Sequence, residues 1–303
     1  MGLWEILVTA SVPVLNVLLL TAVGSIYATD HVGILSHGAR KHLNSVVFHI
    51  FNPALVASNL ALTFSLESMM LLWFMPINLA LSSIIGSAFG WLLIHITKSP
   101  SHLRAVILAC CSAGNIGNLF LVLVPAICKE KGSPLQNLDV CRTYGMAYAS
   151  LSMAIGTILQ WSYTYNIVRI SSNYKESQEN CSSNGTIPSL ILITGGNLIK
   201  GFNGPGIPFP IIIGVIAIRF IALPIVGTIL VEFAVHSGFL HSDPLYHLIL
   251  LLQNAVPPAM NIASMIQMVE VGEGELSVIL LWSYVVASMG LTLWSMFFLW
   301  LIS

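Results

Sequence analysis

Asparagines set among glycines and prolines are the residues of this sequence best placed to do chemistry, and the chemistry they suit is binding. Asn115 and Asn118 lie in SAGNIGNLFLVLVPA, interleaved with Gly114 and Gly117. Asn254 and Asn261 lie in QNAVPPAMNIA, on either side of Pro257 and Pro258. Both stretches interrupt apolar runs. Proline removes a backbone donor and clashes with the preceding turn, so Pro257-Pro258 must break the helical hydrogen-bond ladder. In hydrocarbon the freed backbone groups are tolerated only against protein or a water-filled cavity, and an asparagine side chain offers both a donor and an acceptor there. A half-helix that begins at such a break points its free N–H groups and positive dipole end into the gap, which favours an anion. Two breaks crossing one another would frame a single carboxylate-sized site.

Bond-making chemistry finds no support. HExxH, G-x-S-x-G, a P-loop and a pair of intramembrane aspartates are all absent from the sequence. His236, His241 and His247 surround a loop without a thiol or carboxylate set, so neither a metal nor a cofactor is expected. Arg219 sits in the middle of IIIGVIAIRFIALP, where an isolated charge is costly and faces a partner or cavity. It either balances an organic anion or pairs with carbonyls of a neighbouring helix. Glu232 and His49 lie nearer the ends of apolar runs and read as snorkelling or polar packing. Cys128 and Cys141 bracket the polar loop KEKGSPLQNLDV; they are joined if that loop faces an oxidising compartment, and are free thiols at helix ends otherwise.

The elements that must position these residues are apolar helices. Hydrophobic residues make up 56% of the chain and charged ones 8%, with a mean hydropathy of +0.87, against roughly 25% charged in a soluble domain. Most of the chain must therefore be embedded in membrane lipid. With a net charge of -1 and no basic stripe, nucleic-acid binding is excluded, because it requires clustered cations to replace condensed counterions. Runs near the length needed to cross a bilayer lie at 3–28, 42–64, 69–97, 103–128, 144–170, 207–235, 244–269 and 276–302. A ninth, 187–199, is too short to cross and reads as a half-helix. The expected fold is an all-α polytopic membrane protein with eight full spans and this half-helix.

Orientation is set by Lys and Arg in the short loops. Arg40, Lys41, Lys98, Arg104, Arg169 and Lys175 fall on one side, Lys129, Lys131 and Arg142 on the other. This imbalance puts the amino terminus in the lumen or outside and the loop 172–186 in the cytoplasm; glycosylation at Asn180 or Asn184, which begin N-x-Ser/Thr triplets, would reverse it.

The interruptions recur at matching depth, and the helix after each closes in a similar phrase, SLSMAIGTILQWS against VVASMGLTLWS. An odd number of spans per repeat makes the halves inverted, which divides the chain into a first repeat at 1–171, a cytoplasmic loop at 172–186 and a truncated second repeat at 187–303.

The stretches SAGNIGNLFLVLVPAIC, CRTYGMAYASLSMAIG, HSDPLYHLILLLQNAVPPAMNIASM and LTLWSMFFLWL resemble the PIN-LIKES family of plant auxin transport facilitators, along the whole chain with one interruption. The resemblance implies ten helices in two inverted five-helix repeats, with the fourth and ninth broken at a crossover. It further implies residence in the endoplasmic-reticulum membrane and movement of indole-3-acetic acid between cytosol and lumen. Carried over by position, Gly114, Asn115, Gly117 and Asn118 form the first crossover and Pro257, Pro258 and Asn261 the second. Ser58 and Asn59 are contacts from the supporting part, which also forms dimers in this fold. The chain departs from the family where the loop runs almost directly into IPSLILITGGNLIKG, so that helix six and part of helix seven are lacking. Three readings are open: a carrier for auxin, a non-transporting form that pairs with full-length relatives, and a channel.

Overall fold

The computed structural model describes residues 72–128, 138–172, 207–240, 243–269 and 271–302, with isolated positions between 19 and 54. The runs at 3–28 and 42–64, the half-helix 187–199, and with them His49, Ser58 and Asn59, lie outside the described residues apart from those isolated positions.

Ten α-helices occur among the described residues. The first, α1 (Phe74–Thr97), is 24 residues long. It stops at Lys98, whose φ of 48° lies in the left-handed region, and Pro100 prevents the chain from continuing as helix. Next come α2 (Ser101–Ser112), α3 (Asn118–Cys128), α4 (Leu138–Leu159) and α5 (Tyr165–Ser172). In the second half lie α6 (Phe209–Ala217), α7 (Leu223–His236), α8 (Pro244–Leu252), α9 (Ile262–Val269) and α10 (Glu273–Leu301). Pairs of these are continuous: a π turn at Gln160–Thr164 joins α4 to α5, and another at Ile218–Ala222 joins α6 to α7.

Three helices are long and apolar enough to cross a membrane among the described residues: Phe74–Thr97, Phe209–His236 and Glu273–Leu301. The expected spans at 103–128 and 244–269 are not continuous helices. Each is two half-helices, of 12 and 11 residues in one and 9 and 8 in the other, where a crossing needs about 20. The interruptions expected within these two runs are thus present, at the Gly-Asn and Pro-Pro stretches.

Local sequence fixes the helix ends. Asp243 caps α8 by accepting the Leu245 N–H at 3.0 Å, with Pro244 in the first turn where its missing donor costs nothing. Before α10, Gly272 takes a φ of +74°, and Glu273 and Glu275 place negative charge at the positive end of the helix. Cys128 and Cys141 are joined in a disulfide that ties the end of α3 to the start of α4.

Small residues let the helices approach. On α1, Gly86 and Gly90 form a small-xxx-small pair against α2, and a Cβ at Gly86 would stand 2.1 Å from the Cys111 carbonyl oxygen. The opposite face of α1 is apolar and exposed at Ile77, Ile84, Trp91 and Ile96, as a lipid-facing surface must be. Beyond this pair, α5 packs on α2, α4 on α3, and α8 on α4, α7 and α10; α9 touches α2, α5 and α10. The two broken helices thus sit between the continuous ones, crossing at their breaks.

Candidate functional site

The breaks pair through backbone. Gly114 and Pro258 form an isolated antiparallel β-bridge. The Asn115 N–H donates to the Pro257 carbonyl at 2.8 Å, and the Ala259 N–H donates to the Ala113 carbonyl at 2.9 Å. Each break therefore satisfies backbone groups freed by the other, and neither can be read as a simple kink. Gly114 owes its identity to this close approach and not to an unusual φ. A Cβ there would stand 2.6 Å from Val256 Cγ2 and 3.2 Å from Arg219 Nη1.

Continuous helices supply the remaining partners. Gln160, in the first π turn, donates from Nε2 to the Gly114 carbonyl at 2.9 Å, and its Oε1 accepts from Asn261 Nδ2 at 3.2 Å. Tyr284, on α10, donates to the Pro258 carbonyl at 3.1 Å while its hydroxyl accepts from Asn115 Nδ2. Asn115 and Asn261 were expected to satisfy freed backbone groups themselves. They bond instead to the side chains that do so, because the backbone groups already face one another across the bridge.

The carboxyl ends of the upstream half-helices are capped crosswise. Arg219, in the second π turn, donates from Nε to the Cys110 carbonyl at 2.7 Å, one of the carbonyls α2 leaves unpaired at its last turn. Asn78 of α1 donates to the Leu250 carbonyl at 3.0 Å at the end of α8 and to Gln253 Oε1 at 2.8 Å. Each upstream half-helix is thus closed by the continuous helix that precedes the other one. A π turn adds one residue to a helical turn and re-aims the side chains on it; both π turns here carry a polar residue that reaches a broken helix.

Of the two alternatives for Arg219, carbonyl pairing is present. It leaves donors over, since the side chain is only 1% exposed and Nη2 has no partner among the described residues. A cation at the negative end of α2 is favoured by the helix dipole, and the guanidinium borders the Gly114 break through Nη1, which would stand 3.2 Å from a Cβ on Gly114. Glu232 and His247 pack together, with Oε1 and Nε2 3.0 Å apart between α7 and α8. Asn118 opens α3, and a Cβ added at Gly117 would lie 3.4 Å from Met153. Among the described residues no His, Cys, Asp and Glu group has the makings of a metal site.

Sequence reasoning missed Gln160, Tyr284 and Asn78. The first two had a signal: Gln160 lies near the end of the repeated phrase SLSMAIGTILQWS, and Tyr284 immediately precedes its counterpart VVASMGLTLWS. Replacing Gln160 by Leu leaves the Gly114 carbonyl and the Asn261 amide without partners, at about 1–3 kcal/mol each. Gln160→Leu is therefore expected to melt well below wild type in detergent, and Gln160→Glu, which keeps only the acceptor, between the two.

Apolar helices with two broken helices crossing at mid-length define a membrane protein of the transport class. A family model described as membrane transport protein matches residues 9–184 and 177–295. Protein PIN-LIKES 1 of Arabidopsis thaliana is 40% identical over 384 aligned positions, covering 100% of this chain and 81% of the relative. Protein PIN-LIKES 3 of the same plant is 38% identical over 387 positions, covering 99% of each; Protein PIN-LIKES 7 is 34% identical over 395, covering 100% of each. The chain belongs to the PIN-LIKES family of membrane transport proteins, and it is a transporter homologue, not an enzyme. No solved structure matches it. The aligned lengths exceed the 303 residues of this chain, so the relatives carry segments with no counterpart here. The two stretches that match the family model meet at 177–184.

Proposed function

We propose that this chain is a secondary carrier for auxin, indole-3-acetic acid, in the endoplasmic-reticulum membrane, with its amino terminus in the lumen, and that it regulates how much auxin remains available in the cell. The observation that carries the reading is the reciprocal pairing of Asn115 with Pro257 and Ala259 with Ala113, with the half-buried Asn115 amide and the Arg219 guanidinium beside it. A carboxylate at this crossing would exchange bonds with the Asn115–Tyr284 and Asn261–Gln160 pairs and gain Arg219 as a counter-charge. Both asparagines donate to neutral side chains that keep a second bond, Tyr284 to the Pro258 carbonyl and Gln160 from Nε2 to the Gly114 carbonyl. Alternating access would then be a rocking of one repeat against the other around a fixed site. The crosswise capping by Arg219 and Asn78 supports such a repeat, 1–171 against 187–303, and Ser58 and Asn59 would contribute from the second expected span, in the part that forms a homodimer.

Microsomes containing the chain and labelled indole-3-acetic acid test this. Saturable accumulation that falls at least tenfold in Asn115→Ala is the expected result, a loss of roughly 1.4 kcal/mol or more; flux that does not saturate would indicate a channel. A second reading has its own support in the segments that relatives possess and this chain lacks. On that reading the chain does not transport alone and associates with full-length relatives, and activity would appear only on co-expression with one.

A further inference from the structure

At the end of α1 away from the crossing, a cavity of about 540 Å³ opens between α1, the start of α2 and the last turn of α5. Its lining divides sharply by chemistry. Lys98 and Arg104 supply two cations, both exposed, and neither has a carboxylate within ion-pair distance among the described residues. His95 adds a third titratable nitrogen group, its ring stacked at 4.0 Å on that of Trp91. Apart from Ser171 the other walls are apolar: Ile94 is buried, and Trp91 and Ile170 are 57% and 72% exposed on the outer surface.

We propose that this cavity is a binding site for the headgroup of an anionic phospholipid, with Lys98 and Arg104 on the phosphate and Trp91 and Ile170 against the glycerol and first methylenes. The charge complementarity names an anion. The apolar outer wall selects a lipid over a soluble ion, because a free phosphate gains nothing from Trp91 and Ile170, whereas an acyl chain leaving the cavity runs along surface that already faces hydrocarbon. Tryptophan beside basic residues at the end of an apolar helix is the pattern of a membrane interface. On the proposed orientation Lys98 and Arg104 lie on the cytoplasmic side, where anionic lipids gather and basic pockets between helices hold their headgroups. The site is independent of the auxin crossing, since none of its residues touches either break.

The purified full chain in nanodiscs of neutral phosphatidylcholine, titrated with phosphatidylserine or phosphatidylinositol 4-phosphate, provides the test, read by native mass spectrometry and by melting temperature. Anionic lipid is expected to bind and raise the melting temperature. Lys98→Gln with Arg104→Gln is expected to weaken that binding by roughly tenfold or more, and the charge-keeping exchange Lys98→Arg with Arg104→Lys to preserve it. Equal binding by the glutamine variant, or equal stabilisation by added phosphatidylcholine, would overturn the site. Stabilisation by inorganic phosphate alone that matches the lipid would overturn the lipid assignment. Loss of auxin uptake with lipid binding intact would touch the carrier reading only.

Discussion

Arg219→Met is expected to abolish the proposed saturable auxin uptake while leaving a folded protein that melts near wild type. The two effects separate because they draw on different properties of the side chain. For stability, the guanidinium donates to the Cys110 carbonyl at 2.7 Å, a charge-assisted bond worth about 1.5–3 kcal/mol. Against that stands the cost of holding a cation at 1% exposure with one donor unpaired, several kcal/mol for a buried ion without a counter-charge. Methionine, of similar reach and no charge, loses the first and removes the second. For transport nothing offsets the loss, because no other cation lies beside the crossing among the described residues, and a carboxylate taken from water needs a counter-charge. Arg219→Lys keeps the charge but not the fork that reaches a carbonyl and an anion together, so a raised KM with residual uptake is expected. Uptake assays paired with thermal melts decide the matter. A methionine variant that transports with an unchanged KM would make Arg219 a helix cap and nothing more.

Gly114→Ala is the second large effect, expected to reduce uptake at least tenfold and to destabilise the chain by about 1–3 kcal/mol. The added methyl would meet Val256 Cγ2 at 2.6 Å, and the β-branched valine has little rotamer freedom with which to move away. The strands of the bridge must part instead, which stretches the Asn115–Pro257 and Ala259–Ala113 bonds together. Restoring the space should restore the bridge, so Gly114→Ala with Val256→Ala is expected to recover most of the lost stability, the coupling that residues in contact show. Gly117→Ala serves as the control: its nearest neighbours, two atoms of Met153, lie at 3.4 Å on a flexible side chain, and near-normal uptake is expected. Should the two alanine variants behave alike, close approach of the breaks would not be what Gly114 provides.

Phosphate-headgroup binding at the end of α1 and the crossing itself are both built from residues that neighbours in sequence do not predict to meet. Arg104 and Ile170 are brought together by the packing of α5 on α2, and Arg219 and Cys110 by the passage of the second π turn alongside the first broken helix.

Features that depend on one residue and its near neighbours were legible in the order of amino acids. Composition required a membrane, because so few charges cannot keep this much apolar surface in water. Pro257-Pro258 required a break, because a missing donor acts within a single turn, and the Gly114–Asn118 stretch stood at the matching place in the other half. The motifs around those breaks also carried the family membership. Packing, by contrast, chose which groups satisfy the freed backbone: the opposite break, Gln160, Tyr284, Asn78 and Arg219, with Asn254 the nearby asparagine that joins them, at the Leu250 carbonyl. A hydrogen bond in hydrocarbon is obligatory but indifferent to sequence distance, so local chemistry states that a partner must exist and only the folded arrangement selects it. The π turns obey the same logic, since one extra residue in a turn changes where Gln160 and Arg219 point without leaving a mark on the apolar pattern.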